Sequence, residues 1–177
     1  MKYRLLDFFC GRGGWTVAAM ARGWECVGVD IEDHGYPSML VREALPWSIE
    51  RVMSYRPSAI VASPPCEEFA RAWLPWLRGD GKPSSDMVGL LSWSVGLVGC
   101  GVPVVVECSH FAAKHVPGAR KFGSYALWGD VPALCPHPPR TKMKKSGMDP
   151  AARAMIPADL ADWIVESFEL RLAREAA

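Results

Sequence analysis

The sequence predicts an α/β fold, a mainly parallel sheet with flanking helices, as a single domain over residues 1–177. Three observations predict it. Short apolar runs alternate with helical patterns through the first two-thirds of the chain, as strand–helix–strand units do. Polar or reactive residues stand directly after three of those runs, where open α/β sheets bind ligands. The length suits one domain with a sizeable core, and no linker or internal repeat divides it.

The elements follow in order. Arg4 to Phe9 reads as strand one, and Cys10 to Gly14 as a tight glycine turn. Trp15 to Arg22 reads as a short helix that Gly23 stops. Glu25 to Asp30 is strand two. Ile31 to Leu45 shows little regular pattern and is read as loop. Pro46 to Tyr55 is a helix opened by proline. Ala59 to Ala62 is the third apolar strand. Ser63 to Pro83 is rich in Pro, Gly and charge, and is too long for a mere connector. Asp86 to Cys100 reads as a buried helix, and Val102 to Glu107 as the clearest strand. Phe122 to Trp128 is expected as a later strand, and residues 135–150 as a mobile basic loop. Residues 157–174 form an amphipathic C-terminal helix, with Leu160, Ile164, Phe168 and Leu172 at helical spacing.

Composition sets limits. Half of the residues are hydrophobic and 22% are charged, an ordinary globular balance. No apolar stretch reaches the ~20 residues of a membrane helix. Asp7 interrupts what would be the apolar core of a signal peptide, so a cytoplasmic protein without membrane contact is expected. Six cysteines without a C-x-x-C pair read as free thiols. Cys135 and His137, with Cys108 and His110, lack the spacing of a zinc module, so no metal is expected. The net charge of +1 is a weak footprint for a nucleic-acid binder. Basic residues do cluster at Arg140, Lys142, Lys144 and Lys145, after Arg120 and Lys121. The chain has no Asn and no Gln, which excludes amide readout of adenine.

Three segments carry the chemistry. In Asp7-Phe-Phe-Cys-Gly-Arg-Gly-Gly14 the glycines let a ligand approach the backbone. The segment lacks both the dinucleotide G-x-G-x-x-G and the phosphate-loop Lys-Ser/Thr, so the ligand is read as a nucleoside without a phosphate chain. Asp30 at the end of strand two is placed to accept ribose hydroxyls. In Ser63-Pro-Pro-Cys66 two prolines fix a cysteine after a buried strand, as a positioned nucleophile requires. Glu107 ends a run of valines, where burial would raise its pKa and suit a proton donor.

These segments, in this order, resemble the C5-cytosine DNA methyltransferases in a short, phage-type version. Asp7 to Trp15 with Cys26-Val-Gly-Val-Asp30 is similar to their cofactor motif. Pro64-Pro65-Cys66 is similar to the catalytic-cysteine motif, and Val105-Val106-Glu107 to the catalytic-glutamate motif. Residues 154–164 resemble the C-terminal motif whose helix packs beside the cofactor, and Phe122 to Gly129 a later core strand. The resemblance implies a Rossmann-like S-adenosylmethionine-dependent methyltransferase fold and a single catalytic domain. It implies S-adenosyl-L-methionine held by Asp7, Phe9, Cys10, Gly11, Arg12, Gly13, Gly14, Trp15, Asp30, Ile31 and Pro64. Cys66 would attack and Glu107 would assist. DNA would meet Arg71, Arg120, Lys121, Arg140, Lys142, Lys144 and Lys145, in the cytoplasm of a bacterium or of a phage-infected host.

The sequence departs from the family pattern. Glu67 replaces Gln after the cysteine and Cys108 replaces Asn after the glutamate. The acid implied after the third core strand has no recognised counterpart between Val41 and Pro46, and Phe122 and Ser124 replace an arginine pair. No separate target-recognition domain fits the length, so a short sequence context, a homodimer or a partner subunit is expected. Arg12 stands where the family carries a small or apolar residue, and one reading pairs it with carboxy-S-adenosyl-L-methionine as donor. A free cytosine nucleotide as substrate and a non-catalytic DNA- or cofactor-binding regulator are the competing readings.

Overall fold

The computed structural model describes residues 2–71, 82–133 and 155–177. Its strands are β1 (Arg4–Phe8), β2 (Glu25–Asp30), β3 (Met39–Arg42), β4 (Ala59–Ala62), β5 (Val104–Ser109), β6 (Arg120–Phe122) and β7 (Tyr125–Gly129). Its helices are α1 (Gly14–Ala21), α2 (Ile49–Ser54), α3 (Glu67–Arg71), α4 (Ser85–Gly96) and α5 (Ala158–Glu175), with a 3-10 turn at His110–Lys114. The seven strands form one sheet in the order β3-β2-β1-β4-β5-β7-β6. All neighbours are parallel except β7, which runs antiparallel to both β5 and β6. This is the expected Rossmann-like α/β class.

The central strands are apolar on both faces because both faces are covered. Leu5, Val61, Val105 and Leu127 meet Trp15 and Ala19 of α1 and Leu160, Ile164 and Phe168 of α5. Leu6, Phe8, Ile60, Ala62, Val104 and Val106 meet Trp47, Val52, Phe69 and Leu91 on the other face. The long C-terminal helix is locked onto α1 by charge as well as packing. Arg22, at the end of α1, donates to Asp162 at 2.8 Å and Glu169 at 2.9 Å, and Trp24 Nε1 donates to Glu169 at 2.9 Å.

Three segments differ from the sequence reading. Residues 39–42, read as loop, form β3, paired in parallel with β2 from Val27↔Met39 to Asp30↔Arg42. This edge strand is only four residues long and half-exposed, so its apolar signal is weak. The expected strand over 122–128 is a hairpin, because Gly123 takes a φ of 60° and turns the chain between β6 and β7. The helix expected from Pro46 starts at Ile49, where the Ser48 side chain accepts the Arg51 N–H and caps it. Among the described residues, no helix is long and apolar enough to cross a membrane. No group of three or more His, Cys, Asp or Glu is placed there to hold a metal ion.

Candidate active site

Sheet order places the site. β1 and β4 are neighbours, with β2 and β3 to one side and β5 and β7 to the other, so the chain reverses direction across the sheet at the β1/β4 junction. Ligands of open α/β sheets bind beyond the C-terminal ends of the strands at such a switch point. A cavity of about 750 Å³ opens there. Its walls come from the segments after β1 (Phe9 to Arg12, Gly14, Trp15), β2 (Asp30 to Glu32), β3 (Glu43 to Leu45) and β4 (Ser63, Pro65, Glu67). Met155 and Ile156, which lead into α5, close one side.

The glycine turn is built for close approach. Phe9 and Gly11 have φ of 55° and 49°, and nothing lies within 4 Å of a methyl group placed on Gly11. A non-glycine residue with positive φ at a ligand cavity marks strain held for function. Asp30 pins the turn: its Oδ2 accepts the Gly11 N–H at 2.9 Å and its Oδ1 accepts the Ile31 N–H at 2.8 Å. Oδ1 also accepts the Glu32 N–H at 3.4 Å, and Oδ2 keeps a second lone pair with which to accept a hydroxyl.

Of the expected cofactor residues, Phe9, Cys10, Gly11, Arg12, Gly14, Trp15, Asp30 and Ile31 line this cavity. Asp7, Gly13 and Pro64 do not. Asp7 shares a sheet face with Leu5, so its side chain lies under α1, fully buried, where Oδ2 accepts from Thr16 Oγ1 at 2.8 Å. Thr16 is bonded in turn to the Tyr36 hydroxyl. Burial is the main cause that raises Asp7 to about 8; the Thr16 bond opposes it and Asp30 adds to it. Gly13 is needed for packing: a methyl group there would come within 2.8 Å of Pro37 Cδ. Pro64 is buried, and its neighbour Pro65 faces the cavity instead.

Cys66 sits between the end of β4 and the start of α3, half-buried, against the core on the α2/α4 face. Its segment is held from both sides. The Ser63 N–H donates to Phe8 O at 3.0 Å, and Trp15 Nε1 donates to Ser63 Oγ at 2.9 Å. Beyond it, Phe69 is fully buried with its ring 5.5 Å from that of His115. Glu107, 3% exposed, lies on the neighbouring strand, one residue past the Ala62↔Val106 pair. Tyr125 is fully buried two residues along β7 from Leu127, the partner of Glu107, and so on the same face. Its phenol is pushed up by burial first, then by Glu107, and also by Asp159 and Cys66. A thiol just after one strand can supply a nucleophile, and a carboxyl on the next strand can supply a proton.

Sequence reasoning missed Glu43. It follows β3 directly, lines the cavity and is ion-paired with Arg51. It is an acid at the end of the third strand, in a segment expected to be loop; Met39-Leu-Val-Arg-Glu43 carries the signal. Glu32, Glu67, Met87 and Leu90 were also unassigned, whereas Met155 and Ile156 fall in the 154–164 segment expected beside the ligand. Arg120 points its Nη1 to the carbonyls of Val131 and Pro132 at 2.9 and 3.2 Å, at the far end of β7 from Tyr125. Lys121 is exposed on β6, and Arg71 ends α3. Arg140, Lys142, Lys144 and Lys145, with the basic loop expected over 135–150, lie outside the described residues.

No protein-family model matches the chain, and no curated protein matches it. Solved structures do. The chain is similar to a DNMT2 variant from Spodoptera frugiperda at 17% identity, over 65% of this chain and 40% of that one, with a TM-score of 0.43. It is similar to the methyltransferase EhMeth of Entamoeba histolytica at 13% identity, over 66% and 41%, with a TM-score of 0.46. A hypothetical protein of Thermus thermophilus is similar at 24% identity, over 72% and 74%, with a TM-score of 0.40. The chain spans only about 40% of the length of the DNMT2 and EhMeth chains.

Proposed function

We propose that the protein is an S-adenosylmethionine-dependent methyltransferase acting on carbon 5 of cytosine in DNA. One observation carries the reading. A half-buried cysteine follows β4 and a buried glutamate lies on the neighbouring β5, beside β1, whose glycine turn lines the cavity.

The cavity fits the donor in size and charge. Its volume of about 750 Å³ lies within the range of cofactor pockets. Asp30, Glu32, Glu43 and Glu67 line it against one arginine, Arg12, and one histidine, His34. Such walls favour a cationic nucleoside and disfavour a phosphate chain. Asp30 and Glu43 would hold the nucleoside, and Phe9 and Gly11 would let it lie close to the backbone. When bound, S-adenosylmethionine supplies a methyl group activated by its sulfonium charge.

The chain supplies the rest. The Cys66 thiolate adds to carbon 6 of the ring, which makes carbon 5 nucleophilic. Glu107 gives a proton or hydrogen bond to N3 and stabilises the charge that develops there. After methylation, water takes the proton from carbon 5, N3 returns its proton to Glu107, and the bond to Cys66 breaks, which releases the thiolate. The base must leave the duplex to reach these groups, at a cost of roughly a few kcal/mol.

A free cytosine nucleotide is the second reading for substrate, favoured by a net charge of only +1. Incubation with duplex DNA or dCMP and labelled donor, followed by nucleoside mass spectrometry, separates the two. The proposal expects 5-methylcytosine in DNA that depends on Cys66. Label in dCMP alone moves the substrate to the nucleotide, and label in neither overturns the enzyme reading.

A further inference from the structure

We infer that Arg12 is a donor-specificity residue that takes the amino-acid carboxylate of the donor and so fixes which way round the donor lies. The inference rests on the proposed S-adenosylmethionine site and deepens it.

Charge in the cavity is uneven. Acids arrive from the ends of β2 and β3 and from the start of α3, at Asp30, Glu32, Glu43 and Glu67. A ligand carboxylate is repelled along those walls, and the repulsion is strong where water is partly excluded. One corner differs. Arg12 lies at the tip of the turn between Gly11 and Gly13, whose φ values of 49° and 75° carry the chain round into α1. Gly14 and Trp15, the first residues of α1, line the cavity beside it. No side chain caps α1 and its first turn holds no acid, so the positive end of the helix dipole adds to the arginine. A guanidinium beside an uncapped helix start suits a carboxylate.

The donor matches this pattern in reverse. It carries two positive groups, the sulfonium and the ammonium, and one carboxylate. The Arg12 corner suits that carboxylate, because the other basic group, His34, faces Glu32, while the acids suit the cationic and hydroxyl-bearing parts. The residue type at position 12 then selects ligands that keep the amino-acid end.

Isothermal titration of the full-length protein tests this with two ligands. S-adenosylhomocysteine keeps the amino-acid end, and 5′-methylthioadenosine has the same nucleoside and thioether without it. Arg12→Ala is expected to weaken S-adenosylhomocysteine about tenfold or more and leave 5′-methylthioadenosine unchanged. Arg12→Lys, which keeps the charge, is expected to recover part of the loss, and Arg12→Gln none of it. Circular-dichroism melts check that each variant folds, and Lys and Gln decide the matter if Ala does not. Equal weakening of both ligands, or unchanged S-adenosylhomocysteine binding, overturns the inference while leaving the donor site intact. Loss confined to carboxy-S-adenosylmethionine also overturns it, because that would place Arg12 at the transferred group. A wild-type protein that binds neither ligand removes the donor site itself, and the inference with it.

Discussion

The floor behind the glycine turn and the rim beyond β4 and β5 each hold a thiol and a carboxyl, and they are built to opposite ends. On the floor, Cys10 is 6% exposed; burial first, then Asp7 and Asp30, push its thiol far up, out of reach of the thiolate form. Cys26 is likewise held at about 12, chiefly by burial. The floor carboxyl, Asp7, is committed to Thr16 under α1. On the rim, Cys66 is half-exposed and held by a proline pair, and Glu107 ends the valine run on the neighbouring strand. Being near the cavity does not make a cysteine a nucleophile. A reactive thiol needs exposure and access to its thiolate form. Variants on the rim should therefore change chemistry with little change in stability, and variants on the floor the reverse.

The largest effect is expected for Cys66→Ser, which should lower turnover at least about a thousandfold with donor binding and melting temperature retained. Iodoacetamide at neutral pH, mapped by peptide mass spectrometry, should label Cys66 before Cys10 and Cys26. Labelling of Cys10 first would break the contrast. Glu107→Gln should lower kcat about a hundredfold or more, measured in single-turnover assays, because the amide cannot give up a proton.

Floor variants come next. A methyl group on Gly28 would stand 2.5 Å from the Tyr36 ring and 2.7 Å from Cys10 Sγ. Gly28→Ala should cost about 1–3 kcal/mol in urea unfolding. The last effect is a pH slope. Asp7 has a folded pKa of about 8 against 3.8 unfolded. Between those values the folded state holds the extra proton, so stability should fall as pH rises from about 4 to about 8. Asp7→Asn, neutral throughout, should flatten that slope in urea titrations across the window. An unchanged slope would show that Asp7 is ionised in the fold.

Most of the architecture was legible in the sequence for a physical reason. β1, β4, β5 and α5 bury apolar faces completely, so their patterns are continuous over the whole element. β3 escaped because an edge strand of four residues has one partner and keeps solvent contact. Glu43 escaped with it. The cavity walls were legible where the motif is local, as at Gly11 and Asp30. Asp7 was misplaced because strand alternation, which turns it under α1, matters more than its closeness in sequence to the glycines. The Met155-Ile156 wall falls in residues 154–164, expected beside the ligand, and is where α5 returns to α1; a methyl group on Gly14 there would come within 2.8 Å of Ile156 N.

The most direct measurement is covalent trapping. DNA carrying 5-fluorocytosine blocks the loss of the group on carbon 5, so an adduct through carbon 6 should persist on denaturing gels in the presence of donor. The account predicts that adduct, with its mass on the peptide bearing Cys66, and none with Cys66→Ser. An adduct that survives Cys66→Ser, or product DNA made without any adduct, would contradict it.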